Sequence, residues 1–160
     1  MISFQPLTAE DFPLLLSWLA KPHVKAWWDD GDDTLEKVAA SYEDEPGTER
    51  FLISYQESPS ESVSPIGYIQ SYQEEDGGIG IDLFLGEERF LHRGIGTQVL
   101  QSFLQQMIDR HAPPYFIIDP QLENTRAIRC YEKVGFRHIT TVMNEAGKLA
   151  YMMRLDRDRE

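Results

Sequence analysis

The sequence predicts an α+β layered fold: a central mixed, mostly antiparallel sheet of about seven strands, flanked and interrupted by helices. Three observations point there. Short stretches rich in β-branched and aromatic residues recur along the chain. One long segment, Gly94 to Arg110, repeats its apolar residues at helical spacing. Turn-forming residues punctuate the intervals. At 160 residues the chain is long enough for one domain with a proper core, read here as 1–160.

The elements follow in order. Ile2 to Pro6 reads as a first strand. Thr8, with Asp11 three residues on, is a helix cap ahead of Phe12, Leu15, Leu16 and Leu19. A short helix is expected from Thr34 to Tyr42. Phe51 to Tyr55 and Ile66 to Tyr72 read as paired strands, joined by the polar, proline-bounded stretch Gln56 to Pro65. In Ile79 to Leu85, alternation puts Ile79, Ile81, Leu83 and Leu85 on one face and Gly80, Asp82 and Phe84 on the other. In the long helix, Ile95, Val99, Leu100, Phe103, Leu104, Met107 and Ile108 form the apolar stripe. Tyr115 to Asp119 follows Pro113-Pro114 as a buried strand. Asn124 then caps a helix that stops at Gly135, and strands Phe136 to Val142 and Leu149 to Leu155 close the chain.

Composition narrows the function. Lys plus Arg number 15 against 27 Asp plus Glu, a formal net charge of −12. Such a field repels nucleic acid and anionic membranes and attracts cations. No apolar run nears the roughly 20 residues of a membrane span. The N-terminal residues lack the charge and apolar pattern of a secretory signal. The lone Cys130 makes no internal disulfide, which fits a reducing, cytoplasmic setting. His23, His92, His111 and His138 show no metal-ligand spacing, so no metal is expected.

Arg93-Gly94-Ile95-Gly96-Thr97 lies between a strand and the long helix. Glycines there let backbone N–H groups converge on an anion, and the helix dipole adds its positive end. The spacing is neither a P-loop nor a dinucleotide fingerprint. Downstream, Asn124, Ala127, Tyr131, Gly135 and Phe136 spell N-x-x-A-x-x-x-Y-x-x-x-G-F. That pattern, after a helix opened by G-x-G, resembles the coenzyme A site of the GNAT superfamily of N-acetyltransferases. The superfamily usually has Gln or Arg three residues before the first glycine, where this chain has Leu91. The segments around Trp18, His23 to Trp28, Pro65 to Tyr72, Gly80 to Asp82 and Asp119 to Phe136 resemble the aminoglycoside 6'-N-acetyltransferase branch.

The resemblance implies a GNAT fold with a splayed coenzyme A cleft, acetyl-CoA as cosubstrate and a small cationic amine as acceptor. It implies catalytic roles for Asp82, as base, and Tyr131, as acid toward the sulfur. Leu83, Phe84, Leu85, His92, Arg93, Gly94, Ile95, Gly96, Thr97, Asn124, Ala127 and Tyr131 would hold the cosubstrate. Trp27, Trp28, Tyr42, Gln70, Tyr72, Asp82 and Asp119 would meet the acceptor, and the sequence does not say which tryptophan faces it. The resistance enzymes carry a longer, tryptophan-bearing insert where this chain has only Gln73 to Ile79. Three functions therefore stand: acetylation of an aminoglycoside-like amine, acylation of another amine (a polyamine, a siderophore precursor or a lysine side chain), or a coenzyme A sensor without catalysis. Monomer and homodimer are both compatible with the sequence.

Overall fold

The computed structural model describes residues 1–157. The strands are β1 (Ile2–Pro6), β2 (Thr48–Tyr55), β3 (Ser64–Gln73), β4 (Ile79–Leu85), β5 (Tyr115–Ile118), β6 (Arg137–Met143) and β7 (Leu149–Asp156). The helices are α1 (Phe12–Leu19), α2 (Pro22–Lys25), α3 (Leu35–Ser41), α4 (Ile95–His111) and α5 (Thr125–Val134). The seven strands form one open sheet in the order β1-β2-β3-β4-β5-β7-β6. β1 with β2, β5 with β7 and β6 with β7 pair antiparallel. β4 and β5 pair parallel, Ile79 with Phe116 and Gly80 with Ile117. Parallel neighbours need a long crossover, and α4 supplies it.

Local chemistry accounts for the ends of the elements. The Thr8 N–H donates to the Asp11 carboxylate at 2.9 Å, as the capping pattern predicts, although the first turn (Ala9–Asp11) is a 3-10 turn that runs into α1. Pro13 sits in the first turn of α1, where its missing N–H has no role. Thr34 accepts from the Lys37 N–H at 3.2 Å and starts α3. Asn124 accepts from the Ala127 N–H at 3.4 Å, and Gly135, at φ +122°, ends α5. Short α2, which opens on Pro22, was not foreseen from the sequence: four residues are too few to show a period.

Two compact units make up the chain: Met1–Ser71 with Leu83–Ile95, and Tyr72–Asp82 with the part from Gly96 onward. In the first, Leu15, Trp18, Leu19, Val24, Val38, Tyr42, Leu52, Tyr68 and Phe84 form a packed apolar cluster. Trp18 meets Phe84 edge-on, and its indole N–H donates to Glu87 at 2.5 Å. In the second, Val99, Leu100, Phe103 and Met107 are fully buried along α4, as the apolar stripe predicts. Each such side chain contributes about 1.5–3 kcal/mol of transfer free energy.

The alternation in β4 turns out not to divide core from solvent. Ile79, Gly80, Ile81 and Phe84 are all buried, because a sheet layered between helices is covered on both faces. Gly67 shows how close the packing is: a Cβ there would lie 2.4 Å from the Phe84 carbonyl oxygen. Backbone cannot swing aside as a side chain can, so Gly67→Ala is expected to cost about 1–3 kcal/mol, read as a lower urea midpoint at unchanged m-value.

Candidate active site

In the second unit, the expected catalytic residues Asp82 and Tyr131 lie on β4 and α5. Asp82 stands half-buried on β4. Tyr131, seven residues after the Asn124 cap, is 9% exposed, and its ring lies 6.3 Å from that of Phe136. Burial pushes the Tyr131 phenol above its ordinary pKa, and Cys130, Asp82 and Asp119 push it the same way. Tyr72 is raised for related reasons: desolvation first, then the charges of Asp82, Asp119 and Glu74. Two phenols and two carboxylates therefore share one electrostatic environment. Both phenols remain neutral donors at any working pH.

Glycine makes room for one of these rings. A Cβ on Gly80 would come within 2.1 Å of the Tyr72 ring, so the phenol lies directly across the bare backbone of β4. Sequence reasoning had passed over Gly80 as a site residue. The available signal was a glycine inside a strand pattern, which marks close approach. Gly78 does the same for Tyr115. That hydroxyl donates to Asp76 at 2.5 Å, a bond that pushes its pKa up to about 12.

At the turn before α4, His92 (φ +64°) and Gly94 (φ +75°) both adopt left-handed backbone. A non-glycine residue there carries strain, and such strain gathers at ligand sites. A Cβ on Gly94 would meet nothing within 4 Å, and one on Gly96 only the Cys130 sulfur, at 3.8 Å. The glycines thus leave open space beside the first N–H groups of a 17-residue helix. Thr97 Oγ1 lies 3.3 Å from Cys130 Sγ and ties this turn to α5. Desolvation raises the Cys130 thiol, so it is a packing group and a poor nucleophile. The Arg93 guanidinium is held by Glu57 and packs 5.4 Å from the Phe90 ring centre. His92 is exposed.

The first unit gathers the remaining predicted residues. The Trp28 indole N–H donates to the Tyr42 hydroxyl at 3.1 Å, and its ring packs edge-on against Tyr68 and Phe84. Trp27 is 42% exposed, so the structure separates the two tryptophans where the sequence did not. Tyr42 is buried within the apolar cluster. Gln70 accepts from Arg50, a residue that the sequence reading did not single out. Leu83 and Leu85 are half-buried. The Leu85 carbonyl accepts from His23 Nε2 at 3.0 Å, which makes His23 a structural histidine.

Residues 8–143 match the family described as the acetyltransferase (GNAT) domain. The chain belongs to the GNAT acetyltransferases. Among GNAT relatives, an aminoglycoside N(6')-acetyltransferase type 1 of Klebsiella pneumoniae is 30% identical over 172 aligned positions, covering 96% of this chain and 82% of the relative. A kanamycin resistance protein of Rhizobium radiobacter is 35% identical over 83 residues, 51% of this chain and 77% of its own length. The crystal structure of aminoglycoside acetyltransferase AAC(6')-Ib with coenzyme A and kanamycin matches at a TM-score of 0.85 and 28% identity, covering 98% of this chain and 95% of that one. Among the described residues, no cluster of three or more His, Cys, Asp or Glu side chains is placed to hold a metal, and no helix is long and apolar enough to cross a membrane.

Asp119 yields a pH prediction for this GNAT domain. Desolvation, and then Glu74, raise its pKa above the usual 3.8, while a backbone hydrogen bond partly offsets them. The folded state then holds a proton that the unfolded chain has lost, so stability falls as pH rises from the unfolded value through the raised one. Above that window the penalty is constant. Because Asp119 is exposed, the effect is small: Asp119→Asn should melt slightly higher than the parent at neutral pH and lose a little of the acid-side slope, as followed by thermal denaturation from pH 3 to 8. Gly94→Ala should lower the urea midpoint, because alanine costs about 1–2 kcal/mol in the left-handed backbone that Gly94 adopts.

Proposed function

We propose that this GNAT domain, taken as one catalytic domain over the whole chain, transfers the acetyl group of acetyl-CoA to a primary amine of an aminoglycoside or a similar cationic, hydroxylated acceptor. The observation that carries the proposal is the shared environment of Asp82, Asp119, Tyr72 and the buried Tyr131. A carboxylate that takes a proton from an amine and a phenol that stays protonated are the two groups that aminolysis of a thioester requires. The aminoglycoside-acetylating relatives support the acceptor class. So does the net charge of −12, which draws cations toward the protein.

Acetyl-CoA supplies an activated acyl carbon and a sulfur leaving group. The turn at Gly94 and Gly96, with Thr97 and the start of α4, holds the pyrophosphate. Arg93 and His92 flank it, Ile95 anchors the helix, and Asn124 and Ala127 open the helix that presents Tyr131. The strand backbone at Leu83, Phe84 and Leu85 lines the path of the pantetheine arm. On the acceptor side, Asp82 accepts the proton that the amine gives up as the new C–N bond forms. Tyr131 donates its hydroxyl hydrogen to the sulfur as the C–S bond breaks. Asp119, Tyr72, Gln70, Trp28, Trp27 and Tyr42 bind the acceptor, whose charge the carboxylates and aromatic faces suit. The amine attacks directly: Cys130, the sole thiol, is desolvated and has no adjacent base.

The experiment is thiol release from acetyl-CoA with a kanamycin-type aminoglycoside, its 6'-blocked analogue, spermidine and a lysine derivative. Turnover with the free 6'-amine and none with the blocked analogue is expected. Release only with spermidine or lysine would overturn the acceptor class and leave an acetyltransferase, and silence with coenzyme A still bound would make the protein a sensor. Tyr131→Phe should lower kcat about 100-fold with coenzyme A affinity nearly intact. Asp82→Asn should lose rate most steeply at low pH if Asp82 is the base, whereas a rise confined to the acceptor KM would make it a binding group.

A further inference from the structure

Arg50, on β2, is the most heavily engaged cation among the described residues of the first unit. Its Nη1 donates to Gln70 Oε1 at 2.7 Å and to the Tyr68 hydroxyl at 3.1 Å. Its Nη2 donates to the Glu45 carboxylate at 3.3 Å, and its Nε to the Glu43 carbonyl at 3.3 Å. The guanidinium carbon lies 5.7 Å from the centre of the Tyr42 ring. Only 11% of the side chain is exposed. One fork thus fastens β3, the segment after α3 and an aromatic face at once.

Gln70 feels this most. Its Oε1 accepts from Arg50 and also from the Tyr68 hydroxyl, at 2.6 Å. Two donors on the oxygen settle the orientation of the amide, which otherwise flips freely. Gln70 then turns its NH₂, a pure donor, the other way. Tyr42, under the guanidinium, is fixed in turn by the indole N–H of Trp28.

We infer that Arg50 is a positioning residue for acceptor recognition: it locks Gln70 as a hydrogen-bond donor and holds a guanidinium, ion-paired to Glu45, beside Tyr42 and Tyr68. This rests on the acceptor-binding role proposed for Gln70, Tyr42 and Trp28. An amide NH₂ has nothing to accept from an ammonium and donates to an oxygen. The acceptor class is accordingly an amine that also carries hydroxyl or ring oxygens, and a bare polyamine has nothing to offer at this point. Lysine cannot take over, since a single ammonium does not reproduce a planar fork that reaches four partners.

The test compares the parent with Arg50→Gln and Arg50→Lys in the full chain, using a kanamycin-type aminoglycoside and spermidine as acceptors. KM for the aminoglycoside should rise about tenfold in both variants. KM for acetyl-CoA should stay within about twofold, and the preference for the aminoglycoside over spermidine should fall. An unchanged preference, or equal losses for both acceptors together with acetyl-CoA, would overturn the inference. If the Arg50 variants do not fold, Gln70→Met, which removes the amide and keeps Arg50, should show the same loss of preference, and its absence would count against the idea equally. If the parent releases no thiol with either acceptor, the proposed activity fails, and binding is read from the tryptophan fluorescence of the coenzyme A-bound protein. Tighter binding of the aminoglycoside than of spermidine, lost in Arg50→Gln, would still uphold the role of Arg50. Binding of neither would end it.

Discussion

In the proposed mechanism Tyr131 gives up a hydrogen, and burial raises a phenol that is already neutral near pH 7 still further above its ordinary pKa. Desolvation is the largest influence on that hydroxyl, with Asp82 and Asp119 acting in the same direction. The Asp119 pKa lies above the usual carboxylate value although the residue as a whole is exposed. Perturbed acids are enriched at functional sites, which is consistent with the role proposed for Tyr131.

Missing side chains give this site much of its shape. Gly80 lets the Tyr72 ring lie across β4, and Gly94 and Gly96 keep the start of α4 open. The first is a packing requirement, because any Cβ would enter the ring. At Gly94 the requirement is conformational, as the φ of +75° shows. At Gly96 the protein itself leaves room for a methyl group.

The electrostatic character of the chain is uneven. Its net charge of −12 attracts cationic amines over distance. At contact range, however, Arg50 places a nearly buried cation among Tyr42, Tyr68 and Gln70. Attraction raises the encounter rate for any polycation, whereas in the proposed recognition the oriented amide asks for oxygen at a defined position.

Much was legible in the sequence because it depends on neighbours along the chain. The Thr8, Thr34 and Asn124 caps, the stop at Gly135, the stripe of α4 and the seven strands all follow from local hydrogen bonding and periodicity, and the structure places them within a residue or a few of where they were expected. The spacing from Asn124 to Tyr131 was equally readable, since two helical turns bring both to nearly the same face. Tertiary structure alone decided the rest. Burial of both faces of β4 depends on what the layers cover, so alternation could not predict it. Trp28 packs while Trp27 is exposed, a difference that two adjacent identical residues cannot signal. Gly80 meets Tyr72, and Arg50 meets Tyr68 and Gln70, through the pairing and packing of strands, and distances across a sheet have no period in the sequence.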